Sequence, residues 1–300
     1  MTAFHVRTLA DDLPFGARID GINIDNAFDV DTRAEINEIF RAKGILVFEG
    51  VEPSNRTQAA ISEIFAPLQA HEFDVPINEG EGVNGFVEIR HDGVSEVDGS
   101  ELMDFVPWHF DQCYSSTIPR AGVLRALAIP PEGGLTGFAD GIQIYDAISP
   151  ELRDRFATLN ILYDSLFNFW NMKFGAPNSY RPVKIRREVV AQVATCSRVR
   201  AIHPAIWERP TGERVVHISP VQAAGIEGME TPEGDALLEI MCQEIYRGMR
   251  PYHHKWKPTD MVIWDNCRFI HCVSGHPPGY QRAMRRTVIS GDYGLGRTEA

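Results

Sequence analysis

Trp108-His109-Phe110-Asp111 sets an imidazole and a carboxylate two residues apart. On a β-strand, residues i and i+2 share a face. The spacing predicts that His109 and Asp111 reach one metal ion together while Trp108 and Phe110 turn away into packing. Two ligands alone are weak evidence of a metal site, so the rest of the chain must supply a third ligand and a scaffold.

The sequence around this stretch is strand-rich. Downstream, Gly122 to Ile129 and Gly134 to Asp140 are strand-like runs joined by the turn Pro130-Pro131-Glu132-Gly133. Upstream, Asn78 to Asp104 is rich in Gly, Asp and Glu, with one strand-like patch at Phe86 to Arg90. The remainder of that stretch reads as loop, and a long loop before a metal motif is a candidate lid, here near 78–104. A second candidate lid, near 165–195, carries Phe167, Phe169, Trp170, Phe174 and Tyr180, for which core packing is the competing reading.

Further strands are expected at Val6 to Asn23, Gly44 to Gly50, Val199 to Trp207, Arg214 to Ser219 and Met261 to Asn266, with Met284 to Ser290 as the last. Thr32-x-x-Glu35 has capping-box spacing and opens a helix that Gly44 ends. Ser54 and Ser149-Pro150 open two more helices, and Gly234 to Gly248 has apolar residues at helical intervals. Many short strands, few helices and no repeat predict one domain over 1–300, mostly β with flanking α-helices, a sandwich or jelly roll. No Gly-x-Gly-x-x-Gly or phosphate loop is present.

Composition narrows the function. The 300 residues are 44% hydrophobic and 23% charged, as in globular domains. A net charge of −12 argues against a nucleic-acid partner. No apolar run is long enough to span a bilayer, and the N-terminus lacks a signal peptide's pattern. Five cysteines without a Cys-x-x-Cys pair fit reduced thiols in a cytoplasmic protein. Arg282, Arg285 and Arg286 form the densest positive spot, readable as ion pairs or as an anion site.

His271 is the candidate third ligand. Two His and one carboxylate on one face of an ion are the facial triad of non-haem Fe(II) oxygenases. A zinc hydrolase's helical His-Glu-x-x-His is absent. Pro277-Pro278-Gly279 can turn the chain back so that Arg282 and Arg286 lie four residues apart on one strand face. A guanidinium binds a carboxylate bidentately and keeps its charge, which suits the distal carboxylate of a 2-oxo diacid. The Thr136 hydroxyl could hydrogen-bond the same group.

With these pieces in order, the chain resembles the taurine/2,4-D dioxygenase family of Fe(II)/2-oxoglutarate-dependent oxygenases. The matching stretches are Trp108 to Asp111, Pro130 to Thr136, Trp264-Asp265-Asn266, His271 and Gln281 to Arg286; Gly44 to Gly50 and Ile226 to Met229 also look like the family. The resemblance implies a double-stranded β-helix (jelly roll, cupin-like). It implies Fe(II) on His109, Asp111 and His271, 2-oxoglutarate held by Thr136 and Arg282, O₂ as oxidant, and Arg286 near the substrate's anionic group or the co-substrate. Trp264-Asp265-Asn266 is read as scaffold, His203-Pro204 as structural, and His253-His254 as solvated.

The implied reaction is hydroxylation of an unactivated C–H bond of a small or medium organic anion with an apolar body, giving succinate and CO₂, with C–O or C–S cleavage where a heteroatom is adjacent. Retention of Asp111 favours hydroxylation over halogenation. Phe105-Val106-Pro107 stands where taurine-specific members carry polar residues. His71, Phe105, Phe167, Phe169 and Arg286 are the substrate-contact candidates, and a homo-oligomer, dimer or tetramer, is expected. Desaturation or ring closure on the same scaffold, a non-catalytic jelly-roll binding protein, and a zinc or other-metal hydrolase on a cupin-like barrel are the alternatives.

Overall fold

The computed structural model describes residues 4–68, 85–90, 92–164, 172–177, 179–184, 199–291 and 293–299. In chain order the strands are β1 (His5–Thr8), β2 (Ala17–Asp20), β3 (Ile45–Glu49), β4 (Phe86–Ile89), β5 (Val94–Val97), β6 (Ser100–His109), β7 (Ala121–Ala128), β8 (Thr136–Asp140), β9 (Asn160–Tyr163) and β10 (Arg181–Lys184). They continue as β11 (Ala201–Pro204), β12 (Ile206–Glu208), β13 (Arg214–Val216), β14 (Ala223–Ile226), β15 (Tyr252–His254), β16 (Met261–Asp265), β17 (Phe269–His276), β18 (Ala283–Ile289) and β19 (Arg297–Thr298). The helices are α1 (Val30–Lys43), α2 (Asn55–Glu63), α3 (Gly141–Ala147), α4 (Pro150–Phe156) and α5 (Pro232–Gly248).

The strands form a jelly roll. One sheet runs β1-β2-β3-β16-β7-β18-β4 and the other β10-β5-β6-β17-β8-β15, with a smaller sheet β14-β9-β11-β19 beside them. Leu124 and Ala126 of β7, Trp264 of β16, and Phe138 of β8 pack in one buried cluster that joins the large sheets. Outside the first sheet, Ile36 and Phe40 of α1 and Ile61 of α2 bury against Phe48 and Ile263. Leu237, Leu238, Met241 and Ile245 recur at helical spacing on α5 and pack with Phe110 and Tyr163.

In the second of these sheets β6, β17 and β8 lie side by side, and this is where the candidate ligands fall. His271 of β17 is paired with His109 of β6 on one side and with Phe138 of β8 on the other. The pairing of β6 with β17 shifts register between His271 and Val273, a bulge that re-aims the end of β6.

Several local expectations are corrected. The N-cap of α1 is Asp29, whose side chain accepts from Thr32 N at 2.8 Å, so Thr32 is the third helical residue and not the cap. Gly44 does end that helix, at φ 72°, and a Cβ there would strike the Phe269 ring. The stretch 78–104 is less loop-like than its composition: β5 and β6 form a hairpin through Asp98-Gly99, both at positive φ. Such a two-residue Asp-Gly turn suits the twist of paired strands. Residues 78–84 and 91 lie outside the described residues, as do most of 165–195.

Strand β18 is not the last, because β19 pairs with β11. His254 is buried rather than solvated, with Nε2 3.4 Å from Asp260 Oδ2, whereas His253 is exposed. Phe174 is buried in the cluster containing α5, the core reading of that aromatic stretch. Cys113, Cys242, Cys267 and Cys272 are buried free thiols. No helix among the described residues is long and apolar enough to cross a membrane.

Candidate active site

Strand β6 ends at His109, two residues earlier than the spacing argument assumes, so Asp111 lies in the turn beyond it. Strand alternation therefore does not place Asp111. Asn266, just past β16, does: its Oδ1 accepts from Asp111 N at 2.8 Å and its Nδ2 donates to Asp111 O at 3.1 Å. The same Nδ2 donates to Pro119 O at 3.0 Å. Phe110 is fully buried and stacks on His217 at 3.9 Å between centroids, which pins the turn from below. Trp108 turns away and meets His253 edge-on.

The three expected ligands converge. His109, Asp111 and His271 offer ligand atoms all within 4.8 Å of one another. His109 Nε2 lies 3.9 Å and His271 Nε2 3.7 Å from Asp111 Oδ1. Metal bonds of ~2.1 Å place neighbouring ligand atoms roughly 3–4 Å apart, so the set fits one ion. His109 Nδ1–H donates to the Pro107 carbonyl at 2.8 Å. That fixes the tautomer and leaves Nε2 with its lone pair toward Asp111. Burial pushes the His109 imidazole below its usual range, with the Asp111 charge opposing, and pushes His271 to about 3. Both rings are therefore neutral, the form that binds a metal.

The arginines divide by strand alternation. Arg286 of β18 reaches the site, with Nη1 2.8 Å from Asp111 Oδ1. Arg285 points the other way, to Asn55 Oδ1 at 2.7 Å and Glu88 Oε2 at 3.0 Å, which removes it from the site. Arg282, immediately before β18, is buried and donates from Nη2 to Thr136 Oγ1 at 3.1 Å. Arg282 and Thr136, paired in the sequence reading only by chemistry, are thus in contact.

Three partners of this pair were not read from the sequence. Asp104 Oδ2 accepts from Arg282 Nη1 at 2.8 Å, Gly134 O accepts from Nε at 3.0 Å, and Trp256 Nε1 donates to Thr136 Oγ1 at 3.0 Å. The Asp98-Gly99 turn was the available signal for Asp104, since it makes the following residues a strand beside β17. Of the substrate candidates, Phe105 is half-buried against the Tyr180 ring; His71, Phe167 and Phe169 lie outside the described residues.

A jelly roll with two neutral imidazoles and one carboxylate around a common point, and a buried Arg–Thr pair nearby, defines a 2-oxoglutarate-dependent non-haem iron oxygenase. The chain belongs to the family described as taurine catabolism dioxygenase TauD, TfdA family, whose model matches residues 5–288. It is an oxidoreductase that uses Fe(II), 2-oxoglutarate and O₂.

Among relatives, the (S)-phenoxypropionate/alpha-ketoglutarate-dioxygenase of Sphingobium herbicidovorans is 28% identical over 97% of this chain and 96% of its own. The alpha-ketoglutarate-dependent 2,4-dichlorophenoxyacetate dioxygenase of Cupriavidus pinatubonensis is 25% identical over 93% of this chain and 95% of its own. The alkylsulfatase of Acinetobacter baylyi is 25% identical over 94% and 84%.

Two solved structures share the fold. A putative alpha-ketoglutarate-dependent taurine dioxygenase from Burkholderia xenovorans superposes with TM-score 0.73 at 20% identity, over 99% of this chain and 95% of that one. AAD-2, solved with Mn(II) and N-oxalylglycine, superposes with TM-score 0.69 at 21% identity over 96% and 97%.

Proposed function

We propose that this oxygenase hydroxylates a C–H bond of a small or medium organic anion with an apolar body, and that a C–O or C–S bond breaks afterwards when the new hydroxyl sits beside the heteroatom. The observation that carries the anionic substrate is Arg286 Nη1 at 2.8 Å from Asp111 Oδ1. It sets a permanent positive charge at the ligand set, on a side chain only 13% exposed. Relatives named for phenoxypropionate, 2,4-dichlorophenoxyacetate and sulfate esters support the same class. Phe105-Val106-Pro107, leading into His109, supports an apolar body over a polar zwitterion.

His109, Asp111 and His271 would hold the iron, and Arg282 with Thr136 the distal carboxylate of 2-oxoglutarate. When bound, the iron with 2-oxoglutarate and O₂ supplies the oxidising power: one oxygen atom goes to the substrate as hydroxyl, the other to succinate, and CO₂ leaves. The chain's own work is positional. Pro107 O and Asn266 fix the ligand geometry, Arg286 orients the anion so that one C–H faces the metal, and the buried sheet strands exclude water. A panel of aryloxyacids, sulfonates, sulfate esters and carboxylates, scored by iron- and O₂-dependent succinate formation, tests the reading; product mass separates hydroxylation from desaturation or ring closure.

The buried free thiols support a reducing, cytoplasmic setting. Family likeness supports a homo-oligomer, dimer or tetramer, which light scattering tests.

A further inference from the structure

Arg282 has five N–H donors. Three are engaged inside the protein: Nε with Gly134 O at 3.0 Å, one on Nη1 with Asp104 Oδ2 at 2.8 Å, and one on Nη2 with Thr136 Oγ1 at 3.1 Å. One N–H remains on each terminal nitrogen, and a guanidinium takes a carboxylate through two such donors. Thr136 Oγ1 accepts from Arg282 and from Trp256 Nε1, which can only donate. Its own proton is left to donate elsewhere, again toward an acceptor.

Asp104 stands out in this arrangement. Its backbone is left-handed, φ 58°, within β6, opposite Gly275 at φ 71°, a region in which non-glycine residues are uncommon. Strain of this kind persists where the surroundings hold it and gathers at functional sites. Asp104 and Arg282 are both buried, at 3% and 5% exposure. Their charges cancel, so the anchor is close to neutral before a ligand carboxylate arrives. A second carboxylate on the same guanidinium is repelled by the first.

We propose that Asp104 is a positioning residue of the co-substrate anchor: it fixes the Arg282 fork through Nη1, and its charge sets how tightly Arg282 and Thr136 take the distal carboxylate of 2-oxoglutarate. This rests on the reading of Arg282 and Thr136 as that anchor. Among the described residues, Arg282, from the segment entering β18, and the His276 imidazole, at the end of β17, act on Asp104; toward β5 its N–H meets Gly93 O at 3.2 Å. Burial already pushes the Asp104 carboxyl up to about 6, with Arg282 opposing. An arriving carboxylate pushes it higher, so binding takes up a proton above that pH and weakens as pH rises.

The test is calorimetric titration of 2-oxoglutarate into the Fe(II)-loaded, oxygen-free protein, in buffers of different ionisation enthalpy, between about pH 6 and pH 8. Wild type is expected to take up a substantial fraction of a proton at the upper end and to bind more weakly there. Asp104→Asn keeps an acceptor for Nη1 without the charge. It is expected to bind about five- to tenfold more tightly at high pH, with the proton uptake gone. Asp104→Leu, which loses the acceptor, is expected to bind more weakly than Asp104→Asn. Wild-type affinity and equal proton uptake in Asp104→Asn would overturn the proposal, as would absence of uptake in wild type, which needs no variant to fold. If wild type binds no 2-oxoglutarate at any of these pH values, it is the anchor reading itself that fails.

Discussion

Asn266 grips both peptide groups of Asp111, accepting from its N–H at 2.8 Å and donating to its C=O at 3.1 Å. The candidate carboxylate ligand is thus held by a residue 155 positions away on the opposite sheet, and not by the strand that carries His109. Asn266→Ala removes the hydrogen bonds to the Asp111 N–H and to the Asp111 and Pro119 carbonyls. It is expected to cost about 1–3 kcal/mol of stability for each group left bare. It should also weaken metal binding roughly 10–100-fold, as losses around metal ligands do. Metal titration beside thermal melts checks both; unchanged metal affinity would show that Asp111 needs no such support.

Asp111→Ala removes one of the three proposed ligands and a partner of Arg286. Iron-dependent succinate formation is expected to vanish in this variant while the fold, followed by circular dichroism, stays intact. Normal turnover would mean that the metal sits elsewhere.

Arg286→Ala is expected to raise KM for the organic anion about 10- to 100-fold, the value of a charge-assisted hydrogen bond, with KM for 2-oxoglutarate little changed. Because Arg286 also touches Asp111, metal affinity has to be measured in the same variant. A rise in the 2-oxoglutarate KM alone would assign Arg286 to the co-substrate.

Arg268 and Asp140 form a buried fork, Nε to Oδ1 at 2.9 Å and Nη2 to Oδ2 at 2.7 Å, that ties the turn after β16 to the start of α3. Arg268→Ala leaves Asp140 charged and buried, and is expected to destabilise by about 3–5 kcal/mol. Denaturant melts measure it, and a loss within 0.5 kcal/mol, roughly the effect of a surface change, would contradict the account.

His217 is buried neutral, its Nε2–H donating to Asn266 O at 2.8 Å, and burial holds its pKa down at about 3 against an ordinary 6.5. The unfolded chain takes up a proton that the folded one refuses. Stability is therefore unaffected above pH 6.5 and falls as pH drops toward about 3. His217→Phe, which keeps a ring on Phe110, is expected to make that acid limb shallower by up to about 1.4 kcal/mol per pH unit. An identical acid limb in the variant would rule His217 out as a contributor.

Much of the site was legible because its residues carry their chemistry in their types. Spacing and ligand preference single out His109, Asp111, His271, Arg282 and Thr136 as candidates; the fold brings the first three within 4.8 Å of one another and sets Arg282 against Thr136. How they are held depends on contacts that local sequence does not carry. Asp111 lies past the end of β6, where period-two alternation has no force, and its support comes from Asn266, whose side-chain role depends on sheet pairing. Asp104 was hidden in a polar stretch read as loop, although Asp98-Gly99 marked a hairpin. His254, next to exposed His253, is buried because Asp260 faces it, a long-range fact that local polarity does not carry.

The central claim is an iron- and 2-oxoglutarate-dependent hydroxylation of an apolar-bodied anion. Succinate formation with each member of the anion panel, measured with and without O₂ and set against product mass, tests it most directly. The account predicts succinate and oxygenated or cleaved product in equal amounts for at least one aryloxyacid, sulfonate or sulfate ester, and none for taurine. Succinate formed without any product, or product formed only from taurine, would contradict it.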